Sequence, residues 1–517
     1  MSDIWENQLL FNITCCKIVY MGNGKVYLIG AGPGDPGLLT IKAKDAIAKC
    51  DIILYDCLVS EEIIETLPDN KNLLCVGKMG ASHIMEQDEI NSLIYNLASD
   101  GQIIARLKGG DPFLFGRGGE EALYLMEKGI DVEIISGISS SLACPLYAGI
   151  SITHRDYASS LTIITGHRKD DDKISWKELA KGQGTLIILM GIERITEITK
   201  ALIEAGKDPK TPTSVIRWGS LPYQQTITGE LQEIGRLVSE NNITPPGVIV
   251  IGDVVKLREK MAWFEKKPLF GKKILVLRPE GQIDNLSKIL FDKGAEVIKF
   301  PIISIVPYND PALPYILEKI NSYDWLVFTS TNGVRLFFEK LDDIRGFYGP
   351  KIAAIGEKTR DEIARLKIKV DIMPETYQQE ALLDMLLKEG IKDKKVLVIR
   401  SKEGRDILIS GISRNGASVN TLILYEAKPT EKDPNPIKSI IQNNEIDAIC
   451  FTSPSCVSSF LKLIGIFDAK IASIGPITSK ALMDNGISVD IVASTFTDEG
   501  LVDAICGYYK NEHKRTI

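Results

Sequence analysis

The sequence predicts an α/β protein in two halves, and three observations carry that expectation. Short apolar runs recur along the chain, each followed by a break and then a helical pattern, the order from which α/β sheets are built. Within residues 106–120, such a run ends abruptly in Gly109-Gly110-Asp111-Pro112, followed by Gly116, Gly118 and Gly119. Beyond residue 270 the pattern restarts and then repeats itself. At 517 residues, the chain is long enough for several domains of roughly 150 residues each.

Composition excludes several classes. Hydrophobic content of 44% and charged content of 25% are those of a globular protein. A net charge of −7 argues against a surface built to coat nucleic acid, though a local basic pocket stays open. No apolar run reaches the roughly 18 residues of a membrane helix, so neither a nucleic-acid nor a membrane partner is expected. Residues 1–24 have no basic leader and no Ala-x-Ala site, and read as a loose N-terminal extension. The nine cysteines include no Cys-x-x-Cys, and there are only four histidines. The expectation is a reducing, cytoplasmic setting with no metal site and no disulfide framework.

In chain order, Lys25-Val-Tyr-Leu-Ile29 reads as a strand running into Gly30-Ala-Gly-Pro-Gly-Asp-Pro36. The dinucleotide pattern Gly-x-Gly-x-x-Gly fails there, because Asp35 stands where the third glycine belongs. Pro33 and Pro36 also keep the loop from wrapping directly into a helix, which starts near Leu38-Leu39-Thr40. The next strand, Asp51-Ile-Ile-Leu-Tyr55, ends at Asp56, equally a turn former and a candidate reacting carboxylate. Lys78 follows another strand end, where a solvated lysine is the plainer reading. Ile103 to Leu107 is a buried-type strand. Its loop, 109–119, combines glycines that bare the backbone, a carboxylate and a proline, beside Arg106 and Arg117. That is material for a ligand loop at the carboxyl end of a strand rather than for a packed core. Val132 to Ser136 and the turn 137–141 complete a block with mostly parallel pairing.

A second block opens near Ser151. Thr153-His-Arg-Asp-Tyr157 precedes the strand Leu161–Ile164, which ends in Thr165-Gly-His-Arg168. Strands ending at Met190-Gly191, at Trp218-Gly219 and at Gly252 follow. Singly, His154 and His167 would be satisfied surface or core histidines, and Met190 would be core filler. Residues 260–270, with Lys266-Lys-Pro268, read as a polar, proline-marked join.

The second half contains an internal repeat. Asp324-Trp-Leu-Val-Phe-Thr-Ser330 resembles Asp447-Ala-Ile-Cys-Phe-Thr-Ser453, and Lys351-Ile-Ala-Ala-Ile-Gly356-Glu-Lys-Thr359 resembles Lys470-Ile-Ala-Ser-Ile-Gly475-Pro-Ile-Thr478. Two such lobes would form a cleft lined by hydroxyls and amides able to hold anions. Serine and threonine caps on helix N-termini explain many of the same residues.

These residues carry a resemblance. Val26-Tyr-Leu-Ile-Gly-Ala-Gly-Pro-Gly-Asp-Pro36, Tyr55-Asp-Cys-Leu-Val-Ser60, Val76-Gly-Lys78, residues 106–121, Thr153-His-Arg-Asp-Tyr157 and Thr165-Gly-His167 resemble, in this order, the uroporphyrinogen-III C-methyltransferases of the tetrapyrrole methylase family. Residues 271–509, through the Phe-Thr-Ser loops and the Ile-Gly-x-x-Thr repeat, are similar to the uroporphyrinogen-III synthase family. The implied architecture is a tetrapyrrole methylase fold of two α/β subdomains over 25–265 (about 25–135 and 136–265). After a linker at 266–270 comes a two-lobed α/β synthase fold over 271–512, with lobe one at about 271–304 plus 426–512 and lobe two at about 305–425. Residues 513–517 form a tail.

The resemblance implies S-adenosyl-L-methionine as methyl donor, on Pro33, Gly109, Gly110, Asp111, Leu114, Ser139, Ser140, Met190 and Gly219; at 139–140 the family's usual pair is Thr-Ala. It implies Asp56 as proton acceptor and Lys78 as donor in converting uroporphyrinogen III to precorrin-2 by methylation at C-2 and C-7. The substrate's carboxylates need basic partners, for which Arg106, Arg117, Arg155 and Arg168 are the candidates beside Lys78. The second half would cyclise hydroxymethylbilane to uroporphyrinogen III with inversion of the D ring and no cofactor. Tyr425 is its candidate proton donor, and Thr329, Ser330, Thr452, Ser453 and Thr478 are its candidate carboxylate holders. A homodimer through the methyltransferase half is expected from the family. The alternative is a methylase of a later corrin intermediate fused to a non-catalytic, two-lobed tetrapyrrole-binding module.

Overall fold

The computed structural model describes residues 24–515 apart from 69, 80, 81, 84, 167–174, 280, 282, 347, 377, 405 and 466–468. The side chains of 78, 79, 82, 83 and of residues beyond 511 also lie outside the description. The chain divides into two compact units. The first runs to Gly271 and takes in Lys293–Glu296; the second comprises Lys272–Asp292 and everything from Val297 on.

The first unit contains two five-stranded sheets. Strands β1 (Lys25–Gly30), β2 (Ile52–Tyr55), β3 (Asn72–Cys75), β6 (Ile103–Lys108) and β7 (Asp131–Ile135) form the first, in the order β3-β2-β6-β1-β7. A small antiparallel ribbon of β4 (Lys78–Met79) and β5 (Ser82–His83) stands apart from it. All four pairings in the five-stranded sheet are parallel, so every loop leaving a strand's carboxyl end emerges at one edge. The central strand β6 is buried from Ile104 to Lys108, as a parallel strand covered on both faces must be. Helix Ile41–Lys49 starts where Thr40 caps it, its hydroxyl accepting from Ala43 N at 3.1 Å.

The second sheet departs from the parallel pattern. Its strands are β8 (Leu161–Thr165), β9 (Thr185–Leu189), β10 (Pro212–Arg217), β11 (Gln225–Glu230) and β12 (Gly247–Ile251), in the order β11-β10-β12-β9-β8. Only β8 and β9 pair in parallel; the other three pairings are antiparallel. Residues 218–224 are too short a link for a crossover and return the chain beside itself.

Residues 260–270 are not the polar join their lysines suggest. Phe264 is 2% exposed and Leu269 is fully buried. Phe264 meets Tyr147 edge-on at 4.8 Å, Trp263 donates Nε1–H to Leu146 O at 3.1 Å, and Arg258 pairs with Glu265. Three aromatic rings outweigh the polar composition, and the segment belongs to the first unit's core.

The second unit is built on one nine-stranded sheet in the order β16-β15-β17-β18-β14-β13-β19-β20-β21. The ranges are β13 (Lys273–Pro279), β14 (Glu296–Pro307), β15 (Trp325–Phe328), β16 (Lys351–Ala354), β17 (Lys395–Ser401), β18 (Ser418–Pro429), β19 (Ala448–Phe451), β20 (Lys470–Ser473) and β21 (Ile491–Val492). The two long strands, β14 and β18, pair antiparallel in the middle, Ile303 to Pro307 against Pro429 to Tyr425. Parallel strands flank them on each side, β15, β16 and β17 on one and β13, β19 and β20 on the other.

The sequence repeat has a physical counterpart atom for atom. Asp324 accepts from Lys395 N at 2.8 Å and Lys394 Nζ at 3.0 Å; Asp447 accepts from Lys273 N at 2.8 Å and Lys272 Nζ at 2.8 Å. Asp371 accepts from Ile352 N at 2.7 Å, and Asp490 from Ile471 N at 2.9 Å. Each carboxylate satisfies the first free amide of a strand, so the repeat registers neighbouring strands.

Replacing Phe264 tests whether residues 260–270 are core. Phe264→Ala is expected to destabilise the first unit by about 3–5 kcal/mol in urea unfolding. A change below about 0.5 kcal/mol, the scale of a surface substitution, would return the segment to the status of a linker.

Candidate active site

The first unit's site begins with a backbone constraint. Gly30, Gly110 and Gly137 follow or close β1, β6 and β7, and their main chains touch. A Cβ added to Gly137 would lie 2.3 Å from Gly110 O and 2.6 Å from Gly30 Cα; one added to Gly30 would lie 2.4 Å from Gly137 N. No side chain fits at either position. Gly32 N donates to Gly110 O at 3.1 Å, and Gly110 N donates back to Gly32 O at 2.7 Å. Gly110, at φ +69°, turns through the left-handed region to make this pair.

Asp111 fastens the loop. Its Oδ2 accepts from Ser136 Oγ at 2.6 Å and Gly137 N at 3.1 Å, and its Oδ1 accepts from Phe113 N at 2.8 Å. Ser139 is 6% exposed and caps helix Ser140–Tyr147, accepting from Ser141 N at 3.2 Å. A Cβ added to Gly110 would meet Ser140 N at 3.6 Å and Ser139 Cα at 3.8 Å. The loop at 30–36 is stitched on its far side too. Gly34 O accepts from Ser60 Oγ at 2.7 Å, Asp35 N donates to Ser220 Oγ at 3.2 Å, and Tyr147 OH donates to Asp35 Oδ2 at 2.6 Å. Burial and the Asp35 carboxylate both push the Tyr147 hydroxyl above its usual range. Gly219 packs on the same helix: a Cβ there would meet Cys144 Cβ and Sγ at 2.5 Å.

Of the residues the sequence assigns to the methyl donor, Gly110, Asp111, Ser139 and Ser140 therefore come together, with the 30–36 loop that carries Pro33. Gly219 joins them through Cys144. Met190 caps the end of β9 with φ +54° and 53% of its surface exposed. Core filler has neither property. Nine non-glycine residues take positive φ among the described residues, and five of them, Phe115, Arg117, Met190, Trp218 and Ser220, sit in loops leaving β6, β9 and β10. Backbone strain collected at strand ends marks loops shaped for a ligand. Leu58, Phe113 and Phe115 are 55%, 57% and 40% exposed and supply apolar surface beside the bare backbone of Gly109 and the 111–117 loop.

A buried charge network stands next to this cleft. Arg106 Nη2 donates to Asp56 Oδ1 at 2.5 Å and Nε to Glu121 Oε2 at 3.3 Å; Lys108 Nζ lies 2.7 Å from Glu121 Oε1 and 3.3 Å from Asp56 Oδ2. Gln87 Nε2 donates to Glu121 Oε1 at 3.1 Å. Burial opposes the Arg106 charge, yet Asp56 and Glu121 hold the guanidinium above its ordinary value. Arg106 is 1% exposed, which corrects its assignment as a substrate-binding cation. It orients Asp56 instead, whose side chain stays 23% exposed. Lys108 and Glu121 were missed as members of this network. Their signal was the two-residue spacing of Arg106 and Lys108, which puts both cations on one face of β6.

Arg117 is exposed and paired with Glu120 at 2.6 Å, and Arg155 is exposed. The backbone of Lys78 lies in β4, but its side chain is outside the described residues, as is Arg168 altogether.

In the second unit the candidate hydroxyls cap and tie. Ser330 accepts from Gly333 N at 3.0 Å and Ser453 from Cys456 N at 3.3 Å, each at a helix start. Thr329 Oγ1 donates to Ile399 O at 2.9 Å and Thr452 Oγ1 to Leu277 O at 3.3 Å. Thr478 is 3% exposed, a correction to its place among substrate-facing hydroxyls: it lies in helix Pro476–Met483 against the core. Tyr425 is 7% exposed and donates to Ser330 Oγ at 2.7 Å; burial raises its pKa, so the hydroxyl keeps its proton. Missed altogether were Arg278 and Arg400, at matching ends of β13 and β17. Arg278 donates to Asp498 in two bonds, Asn285 Nδ2 donates to the same carboxylate at 2.8 Å, and Lys358 Nζ lies 3.6 Å from it. Arg400 pairs with Asp406 at 2.5 Å. The signal was a third repeated string, Leu275-Val-Leu-Arg278 and Leu397-Val-Ile-Arg400.

Two substitutions test the two constraints of the first unit. Gly137→Ala should abolish methyl-donor binding by calorimetry, whereas Gly119→Ala, where an added Cβ meets nothing within 4 Å, should gain about 0.5–1 kcal/mol of stability. Arg106→Ala leaves two carboxylates facing Lys108 alone and is expected to cost about 3–5 kcal/mol in chemical unfolding, with the exposed Arg117→Ala near zero.

Comparison with known proteins agrees with this division. The family described as tetrapyrrole (corrin/porphyrin) methylases matches residues 25–235, and uroporphyrinogen-III synthase HemD matches residues 284–503. A porphyrin biosynthesis protein HemD of Ruminiclostridium josui is 34% identical over 94% of this chain and 98% of its own length. A uroporphyrinogen-III C-methyltransferase of Bacillus subtilis is 48% identical over 47% of this chain and 96% of its own. A solved uroporphyrin III C-methyl transferase from Thermus thermophilus is 34% identical, covers 45% of this chain and 94% of that one, and has a TM-score of 0.40. No helix among the described residues is long and apolar enough to cross a membrane. The chain therefore belongs to the tetrapyrrole methylase family through its first half and to the uroporphyrinogen-III synthase HemD family through its second, and joins two enzymes of tetrapyrrole biosynthesis in one polypeptide.

Proposed function

We propose that the first half methylates uroporphyrinogen III at C-2 and C-7 to give precorrin-2, and that the second half makes that substrate by cyclising hydroxymethylbilane with inversion of the D ring. The observation that carries the first assignment is the glycine junction of Gly30, Gly110 and Gly137, backbone stripped of side chains. Main chain without side chains next to apolar surface suits an adenosyl group. Pro33, Gly109, Gly110, Asp111, Leu114, Ser139, Ser140, Met190 and Gly219 would hold S-adenosyl-L-methionine, which supplies an electrophilic methyl group when bound. Asp111 shapes the loop, its two oxygens engaged by Phe113, Ser136 and Gly137. Ser139 presents the first turn of its helix.

Arg106 and Lys108 hold the Asp56 carboxylate in one orientation with part of its surface open, the arrangement a positioned proton acceptor needs. Lys78 is assigned as the partner donor on the family motif. Arg117, Arg155 and Arg168 are the substrate's carboxylate partners in this reading, guanidinium forks being matched to carboxylates. In the second half the Tyr425 hydroxyl, kept protonated by burial, would donate to the departing hydroxyl of the linear substrate. Ser330 accepts from it, and Thr329, Thr452 and Ser453 are the other hydroxyls assigned to the substrate's carboxylates. The synthase half is assigned no cofactor, and the methyltransferase half is assigned as the dimer interface, both on family grounds.

Purified chain given hydroxymethylbilane and S-adenosyl-L-methionine should form precorrin-2 with no added synthase, followed by absorbance and mass. Methylated product appearing only when uroporphyrinogen III is supplied would reduce the second half to a binding module. Tyr425→Phe is expected to slow cyclisation by about 10²-fold, the scale of general-acid assistance; an unchanged rate would remove Tyr425 from the mechanism.

A further inference from the structure

Two thiols stand together beside the Asp56 carboxylate. Cys57 follows Asp56 at the end of β2, and Cys75 ends the neighbouring edge strand β3. Their sulfurs are 3.1 Å apart, and both residues are partly exposed. Four of the other described cysteines, Cys50, Cys144, Cys450 and Cys456, are buried. Parallel pairing sets Tyr55 opposite Cys75, so the chain leaving β2 bends back to bring Cys57 onto Cys75. The two loops have no slack: Val76 N donates to Tyr55 O at 2.9 Å, and a Cβ on Gly77 would lie 2.5 Å from Cys57 N and 2.9 Å from Asp56 Cα.

We propose that Cys57 and Cys75 form a dithiol modification site that small-molecule disulfides oxidise to an intrachain disulfide, which switches off methyl transfer by displacing Asp56. The bond needs a sulfur separation of about 2.05 Å, so the two sulfurs must close by about 1 Å, and with no slack in either loop that closure bears on the backbone of Asp56. A movement of that size at a positioned catalytic group costs about 10²-fold in rate. The chemistry is thiol–disulfide exchange. One cysteine thiolate attacks the disulfide R–S–S–R and expels R–S⁻, leaving a mixed disulfide. The second cysteine sulfur then displaces the remaining R–S⁻, forming the Cys57–Cys75 bond. The protein gives up two electrons and two protons, and two R–SH molecules leave. Burial, the hydrogen bond with Cys75 and the nearby Asp56 push the Cys57 thiol up to about 11, so little thiolate is present at Cys57 at neutral pH and its exchange needs the oxidant in excess.

The role given to the modification rests on the methyltransferase reading; its chemistry does not. The full chain would be treated with 2-hydroxyethyl disulfide, alkylated and digested with trypsin. Peptides 50–71 and 72–78 should appear joined, two hydrogens lighter than their sum, with fragmentation placing the link on Cys57. Methyl transfer should fall about 10- to 100-fold and return with dithiothreitol. Cys75→Ser should retain the activity of the reduced chain and lose its sensitivity to the oxidant. Absence of the joined peptide overturns the site. A joined peptide with unchanged methyl transfer overturns its control of Asp56. Should the reduced chain transfer no methyl group, the assigned reaction is at fault, and the peptide still decides the dithiol site.

Discussion

At the carboxyl ends of β1, β6 and β7 three glycine backbones meet with no room for a single methyl group between them, and the first unit's site depends on that contact. Because Gly30, Gly110 and Gly137 touch, the loops behind them are held in one place relative to the parallel sheet. Asp111 can then bridge to Ser136 and Gly137, and Ser139 can cap the helix that follows. The same contact keeps side chains off the main chain at the edge where these strands end. A parallel sheet creates such an edge for any chain. Here glycine makes it approachable.

The charge network beneath Asp56 is a second constraint of a different kind. Arg106, Lys108 and Glu121 are almost wholly removed from solvent, and an isolated charge there would be very costly. They coexist because two cations face two carboxylates, Asp56 among them. The partly exposed member is thereby oriented by its buried partners. A surface arginine would have bound a substrate carboxylate; an arginine spent on Asp56 decides where Asp56 points.

In the second unit, repetition does structural work that resembles binding chemistry when seen in sequence alone. Ser330 and Ser453 cap helices, Thr329 and Thr452 tie loops to neighbouring strands, and paired aspartates fasten strand starts. Only one member of each pair differs in setting. Ser330 also receives the Tyr425 hydroxyl, whereas Ser453 contacts Ser455 and Cys456. The repeat therefore builds two similar halves, and the asymmetry between them singles out Tyr425.

By itself the sequence determined the α/β class, most strand positions, the glycine-rich loop at 109–119 and the repeat, since these follow from local pattern and from the special backbone of glycine and proline. It also determined the family, because long motifs in a given order survive without any knowledge of packing. Tertiary structure alone decided the rest. Strand β11, Gln225–Glu230, carries threonines in place of an apolar run and is recognisable only beside β10. The lysines of 260–270 read as a join, but Trp263 and Phe264 find Tyr147 more than a hundred residues away. Arg106 reads as a free cation until Glu121 and Asp56 close around it, and Cys57 and Cys75 read as unrelated until adjacent strands end side by side. In each case the deciding partner is distant along the chain, and burial and charge pairing are properties of the neighbours a residue acquires on folding.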